Sequence, residues 1–268
     1  MLRNFAIGSV LFIVLGMFFI FLFQRKLIYF PARLMPSPAN FHAQDMQIVS
    51  LRTKDRLVLQ SWYKSAAPGQ PTVLFLHGNG GHIGMRMPMA RQWIKKGYGV
   101  LLLEYRGYSG NPGSPSEKGF YQDAEAAREF LSQQGVSNKH LVIYGESLGA
   151  GVATYLSIKN PACALILQSP FTSLTAVARY HYPLIVIPPW DKYDSLSRIR
   201  QIKSPLLVLH GDQDRIVPYL QGVELYESAN QPKEFVRVLN RGHNNLWQQA
   251  FYQRVIQFIE EHCSVKPP

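Results

Sequence analysis

Six short apolar runs recur along this chain, at residues 72–76, 99–104, 140–144, 164–168, 206–210 and 234–239. They are too short for helices and most lack the polar alternation of a half-exposed strand, so they read as strands buried on both faces. Between most of them lie helix-length segments, at residues 86–96, 119–134, 148–159, 219–229 and 247–263. Strand and helix alternating in this way predict a mostly parallel sheet wrapped by helices. Upstream, residues 46–51 and 57–63 flank the turn Thr53-Lys54-Asp55 and read as an opening hairpin, which brings the expected sheet to eight strands. No internal repeat or low-complexity tract interrupts the pattern.

Two stretches depart from the alternation. Residues 171–203 are longer than a crossover needs and carry the aromatic, proline-broken run from Tyr180 to Trp190. A small cap over a pocket is expected there, with Tyr180, Tyr182, Leu184 and Trp190 as candidate substrate contacts; an ordinary crossover helix with a packed loop is the open alternative. Residues 5–23 form an uncharged apolar run with Ser9 as its one hydroxyl. At about 1.5 Å per residue such a run matches a hydrocarbon core of roughly 30 Å, the signature of a transmembrane helix. It ends Phe23-Gln24-Arg25-Lys26 without a small-residue cleavage site, so an uncleaved anchor is expected. Pro31, Pro36 and Pro38 forbid a continuous helix beyond it, and Tyr29 and Phe30 suit a membrane interface. The expected organisation is an anchor at 1–24, a juxtamembrane connector at 25–40 and one catalytic domain at 41–268.

The formal net charge of +11 and pI near 9.7 change this picture little. The basic residues are scattered and no recognition motif accompanies them, so nucleic-acid binding is not expected. A basic domain beside an anchor fits anionic headgroups, and a generally solvated basic surface fits as well. Arg3 and the α-amine flank the apolar run on one side, and Arg25, Lys26 and Arg33 on the other. The lean toward a cytoplasmic catalytic domain is slight, and the side stays open. Cys163 and Cys263 give no disulfide framework and no metal spacing, and no Asn-x-Ser/Thr sequon is present.

The candidate chemistry sits at strand ends. Gly145-Glu146-Ser147-Leu148-Gly149 lies between a strand and a helix-compatible run, the context of a nucleophile elbow, in which a serine is exposed above a sheet on a tight turn. A serine needs a histidine to take its proton and a carboxylate to orient that histidine. His243 follows the last strand through Asn240-Arg241-Gly242 and faces the same sheet edge as Ser147. His77 and His210 precede glycines at strand ends and read as packing or hydrogen-bonding residues. Asp214 is the chosen acid; Asp212, nearer the strand end, reads as a loop-capping residue, and Asp191 and Asp194 as structural. The glycine-rich stretch His77-Gly78-Asn79-Gly80-Gly81 follows another strand, and Asn79 with Leu148 would supply the two backbone N–H donors of an oxyanion hole. No metal or organic cofactor is expected.

Together with Glu104-Tyr105-Arg106-Gly107-Tyr108, these motifs in the order Ser147, Asp214, His243 resemble the α/β-hydrolase superfamily. Within it the chain is similar to the single-pass, membrane-anchored serine hydrolases, which also carry an apolar N-terminus and a segment like Arg25-Lys26-Leu27-Ile28-Tyr29-Phe30-Pro31. Glu104 departs from that pattern, since many relatives have aspartate there. The resemblance implies an α/β-hydrolase fold and cleavage of acyl esters or thioesters, including lipid esters and protein-bound palmitate. The expected partners are a lipid-like substrate and membrane lipids. A prolyl-oligopeptidase-like peptidase and a non-catalytic tethered binding protein are the rival readings. A complete triad speaks against the second, and dehalogenase chemistry would need aspartate in place of Ser147.

Overall fold

The computed structural model describes residues 2–184 and 187–263; the side chains at 2–7, 10, 11, 13 and 14 lie outside the description. The chain opens with helix α1 (Leu2–Ile28) and a two-residue strand β1 (Phe30–Pro31). The hairpin β2 (Gln47–Arg52) and β3 (Val58–Lys64) follows, then β4 (Thr72–Leu76) and a second two-residue strand, β5 (Gly80–Gly81). Helix α2 (Met87–Lys95), β6 (Gly99–Leu103), α3 (Glu117–Gln133), β7 (Leu141–Glu146), α4 (Leu148–Lys159) and β8 (Ala164–Gln168) alternate after that. Helices α5 (Leu174–His181) and α6 (Ser195–Ile199) lie in the long interval before β9 (Leu206–Gly211), and α7 (Tyr219–Glu227), β10 (Lys233–Val238) and α8 (Gln249–Cys263) complete the order.

The main sheet has eight strands in the order β10-β9-β8-β7-β4-β6-β3-β2 and is mixed. Strands β10 through β6 pair in parallel, whereas β3 runs antiparallel to both β2 and β6. The short turn at Thr53–Leu57, closed by the Thr53 N–H to the Leu57 carbonyl at 2.9 Å, leaves no length for a crossover, so β2 and β3 must reverse. β4, β6, β8 and β9 are buried at every position, as continuous apolar runs require. Alternate side chains enter opposite cores: Leu74, Leu76, Leu101, Ile143 and Leu165 pack on the face covered by α3 and α4. Val73, Phe75, Leu102, Tyr144 and Ile166 pack on the face covered by α2 and α8.

The cysteines overturn the expectation drawn from their spacing. Cys163 and Cys263 form a disulfide across a sequence separation of 100 residues, with Cα atoms 5.1 Å apart. The connection depends on α8 returning to the start of β8, which local sequence does not encode. For the expected anchor, the backbone of residues 5–23 is helical, but part of that run has side chains outside the description. Among the described residues no helix is long and apolar enough to cross a membrane. The described side chains on α1 nonetheless include Phe12, Phe18, Phe19, Leu22, Phe23 and Leu27, all exposed.

Candidate active site

Ser147 is the single residue between β7 and α4. Its backbone sits at φ 52° and ψ −114°, a conformation that a non-glycine residue holds only when its surroundings impose it. The surroundings do so by close packing: a Cβ on Gly149 would lie 2.0 Å from the Leu76 carbonyl oxygen, and one on Gly145 2.6 Å from the Gly149 oxygen. The Ser147 N–H donates to the Gln168 carbonyl at 2.8 Å, which ties the turn to β8. The result is a partly exposed hydroxyl at the start of a helix, where free N–H groups gather.

His243, in the loop between β10 and α8, reaches that hydroxyl. Its Nε2 lies 2.8 Å from Ser147 Oγ and its Nδ1 2.6 Å from Asp214 Oδ2. An ionised carboxylate has no proton to give, so Nδ1 donates to Asp214 and Nε2 is left to accept from the serine. The Asp214 side chain is fully buried in the turn after β9, and its Oδ1 accepts the N–H groups of Ile216 and Val217, each at 2.9 Å. His210 Nε2 stands 3.2 Å from Oδ2 on the other side. Burial pushes this carboxyl up, but the hydrogen bonds of His210, His243 and Val217 and the charge of His243 outweigh it, so Asp214 is held well below the usual carboxylate range. Asp212 points elsewhere: it accepts the Asn240 N–H at 2.7 Å and pairs with Arg237 at 3.0 Å.

The glycine-rich stretch meets this relay from the β4 side. A Cβ on Gly78 would come within 3.4 Å of the Ser147 Cβ, so the loop passes directly beside the nucleophile position. Among the described residues, no hydrogen bond occupies the backbone N–H of Asn79 or of Leu148. Arg86, which sequence patterning did not single out, and His77, Glu104 and Tyr108, which lie in motifs read from it, hold the loop. Arg86, itself buried, donates to both Glu146 oxygens at 3.1 and 2.9 Å and to the Gly80 carbonyl at 2.9 Å, bridging elbow and loop. His77 Nε2 lies 2.9 Å from Glu104 Oε1, while Glu104 Oε2 accepts from Ile83 N–H at 3.0 Å and Ser109 Oγ at 2.9 Å. The Tyr108 hydroxyl donates toward the Asn79 carbonyl and side-chain oxygens at 2.7 and 2.9 Å. Glu104 and Tyr108 belong to one motif that the sequence shares with the superfamily it resembles.

The expected substrate contacts fare differently. Tyr180, Tyr182 and Leu184 are exposed, Leu184 to 93%. Trp190, also exposed in part, packs edge-on to Phe21 of α1, with the Arg25 guanidinium over its ring. The interval is therefore partly a seat for the N-terminal helix. Its α5 end also joins the Asp214 turn, since His181 Nε2 lies 2.8 Å from the Ile216 carbonyl oxygen.

A strained serine, a histidine, a buried carboxylate and two unoccupied N–H groups at one sheet edge form the arrangement that activates a hydroxyl for acyl transfer. Two family models match, one described as "Serine aminopeptidase, S33" over residues 67–190 and one as "alpha/beta hydrolase fold" over residues 186–250. The alpha/beta hydrolase domain-containing protein WAV2 of Arabidopsis thaliana is 30% identical over 95% of this chain and 93% of its own. The chain belongs to the α/β-hydrolase superfamily. This hydrolase is also 42% identical to an uncharacterised protein of Mycobacterium tuberculosis, over 85% of this chain and 83% of that one. The lysophosphatidylserine lipase ABHD12 of Danio rerio is 35% identical over 64% of this chain but only 51% of its own length. The Pyrococcus furiosus esterase Pf2001 superposes with a TM-score of 0.73 at 22% identity, over 88% of this chain and 98% of that one. The hydrolase is an enzyme of the serine type.

Proposed function

We propose that this serine hydrolase cleaves acyl ester or thioester bonds of lipid-like substrates at a membrane surface, with Ser147, His243 and Asp214 as its catalytic triad. The observation that carries the reading is the continuous relay from Ser147 Oγ through His243 to Asp214 Oδ2, at 2.8 and 2.6 Å. His243 takes the serine proton as Oγ attacks the acyl carbonyl, and the oxyanion that forms is received by the N–H groups of Asn79 and Leu148. Asp214 stabilises the imidazolium, which then protonates the leaving group. Water, activated by the same histidine, releases the acyl-enzyme. No step calls for a metal or cofactor.

The exposed apolar side chains bear on substrate class. The exposed aromatic and aliphatic side chains of α1 and of Tyr180, Tyr182 and Leu184 favour acyl chains delivered from lipid, and a lysophospholipid substrate is known by name for the related ABHD12 lipase. The apolar run at residues 5–23 would hold the protein in the bilayer as a single-pass anchor. The Cys163–Cys263 disulfide favours a catalytic domain on an oxidising side of that membrane.

The family model described as an aminopeptidase favours a second reading, cleavage at a free amino terminus. Such a substrate needs an unpaired carboxylate to receive its ammonium group. The two carboxylates flanking the site are engaged, Glu146 by Arg86 and Asp214 by His243, so ester cleavage is the better fit. Covalent labelling by a fluorophosphonate tests the mechanism: wild-type protein labels and Ser147→Ala does not. Competing monoacylglycerols, lysophospholipids, acylated peptides and aminoacyl amides against that label ranks the substrate classes. Protection by aminoacyl amides alone would establish the peptidase reading instead.

A further inference from the structure

The loop carrying Asn79 is held from a direction that the catalytic chemistry does not need. The side chain of Asn79 faces the backbone that leaves α1: its Nδ2 donates to the Ile28 carbonyl, and its Oδ1 accepts the Phe30 N–H at 3.3 Å. Immediately beyond, β1 pairs in parallel with β5, Phe30 opposite Gly80 and Pro31 opposite Gly81. The Ala32 N–H continues that ladder to the Gly81 carbonyl at 3.3 Å, and the Ala32 carbonyl accepts the Ser109 N–H at 2.7 Å. A strand of two residues has little stability of its own, and the loop it supports is rich in glycine, whose backbone is costly to order. The donor at Asn79 is therefore placed in part by the segment paired with it.

That segment is in turn seated by α1. Arg25 donates to both oxygens of Asp191 at 2.9 and 3.1 Å, and the Tyr29 hydroxyl donates to Asp191 Oδ2 at 2.9 Å. Asp191 also accepts the Glu117 N–H at 3.1 Å, so the clamp is fixed to the start of α3 in the body of the domain. The Asp191 side chain is almost fully buried, whereas Arg25 is about half exposed.

We propose that residues 28–32, which join the N-terminal helix to the catalytic domain, are a positioning element of the oxyanion hole, acting through the Asn79 side chain and seated by the Arg25–Tyr29–Asp191 clamp. The segment touches no substrate. It sets how well the Asn79 N–H meets the oxyanion, so turnover depends on how the N-terminal helix is seated. The inference rests on Ser147 acting as the nucleophile.

The test uses full-length protein in detergent micelles with a short, soluble nitrophenyl ester, so that access to lipid plays no part. Asn79→Ala keeps the backbone N–H and removes all three side-chain hydrogen bonds; Asp191→Asn weakens the clamp at a distance from Ser147. For Asn79→Ala, kcat falls about tenfold or more while KM stays within about twofold. Affinity for a trifluoromethyl ketone, which forms the oxyanion on the enzyme, falls in step with kcat. Asp191→Asn shifts the same two quantities together by a smaller factor, and the unfolding midpoint of each variant is measured alongside. Unchanged kcat in Asn79→Ala overturns the inference, as does a loss of kcat without a parallel loss of ketone affinity, which marks a folding defect. Wild-type protein that neither turns over the ester nor labels at Ser147 overturns the hydrolase mechanism itself, a separate outcome.

Discussion

Asp214 and Asp212 lie two residues apart in one turn, yet their surroundings separate them. Asp214 is buried, accepts two backbone N–H groups and faces His243, whereas Asp212 faces the exposed guanidinium of Arg237. Asp214→Asn should lower kcat by on the order of 10^3 to 10^4, because an amide cannot hold the imidazole tautomer that accepts from Ser147. Asp212→Asn should leave kcat close to wild type and cost about 1 kcal/mol of stability, the scale of one hydrogen bond and an exposed pair. Loss confined to the Asp212 variant reverses the assignment. Asp214 also sets a pH dependence: its folded carboxyl holds a proton less readily than the unfolded one, so the folded state binds fewer protons in acid. Its stabilisation is complete above the ordinary carboxylate value of about 4 and is lost as pH falls below it. Denaturant titrations below about pH 4 should therefore show a shallower acid loss in Asp214→Asn than in wild type.

At the scale of elements, Arg86 is the joint between the elbow at the end of β7 and the loop after β4. Arg86→Met removes both bonds to Glu146 and the bond to Gly80, leaving a partly buried carboxylate without its partner, which costs up to about 3 kcal/mol. A midpoint shift in chemical denaturation measures this, and Arg86→Lys should recover part of it because a single ammonium cannot match the two-pronged contact. An unchanged midpoint in Arg86→Met would show that the joint adds nothing. Arg86 also marks what sequence could and could not reveal. Ser147, Asp214, His243 and Asn79 were legible because each abuts an apolar run, and runs of that kind locate strand ends from local pattern alone. The β2–β3 hairpin was legible from its turn for the same reason. Arg86 meeting Glu146, Asn79 meeting Ile28 and Cys163 meeting Cys263 were not, since each depends on which strand lies beside which and how far a side chain reaches. The packing of Trp190 on Phe21 was hidden on the same ground: an aromatic residue in a cap-length insertion fits a substrate pocket and a helix seat equally well until α1 is placed.

For the whole molecule, the proposed membrane anchor raises the question of which side carries the catalytic domain, and two observations bear on it. The basic residues flanking the apolar run, Arg3 on one side and Arg25, Lys26 and Arg33 on the other, bear on that side through the positive-inside rule. A Cys163–Cys263 bond persists where no glutathione pool reduces it, which favours the proposed extracytoplasmic side. Closing a loop of 100 residues, the bond should contribute about 2–5 kcal/mol, so Cys163→Ala with Cys263→Ala should unfold earlier in denaturant. Protein denatured from membranes quenched in acid should bind no maleimide until it is reduced, and should then bind it at both cysteines. Protease added to sealed vesicles should digest the catalytic domain when the extracytoplasmic face is outward and spare it when the vesicles are inverted. Free thiols in the unreduced sample, with digestion only in inverted vesicles, would place the domain in the cytoplasm instead.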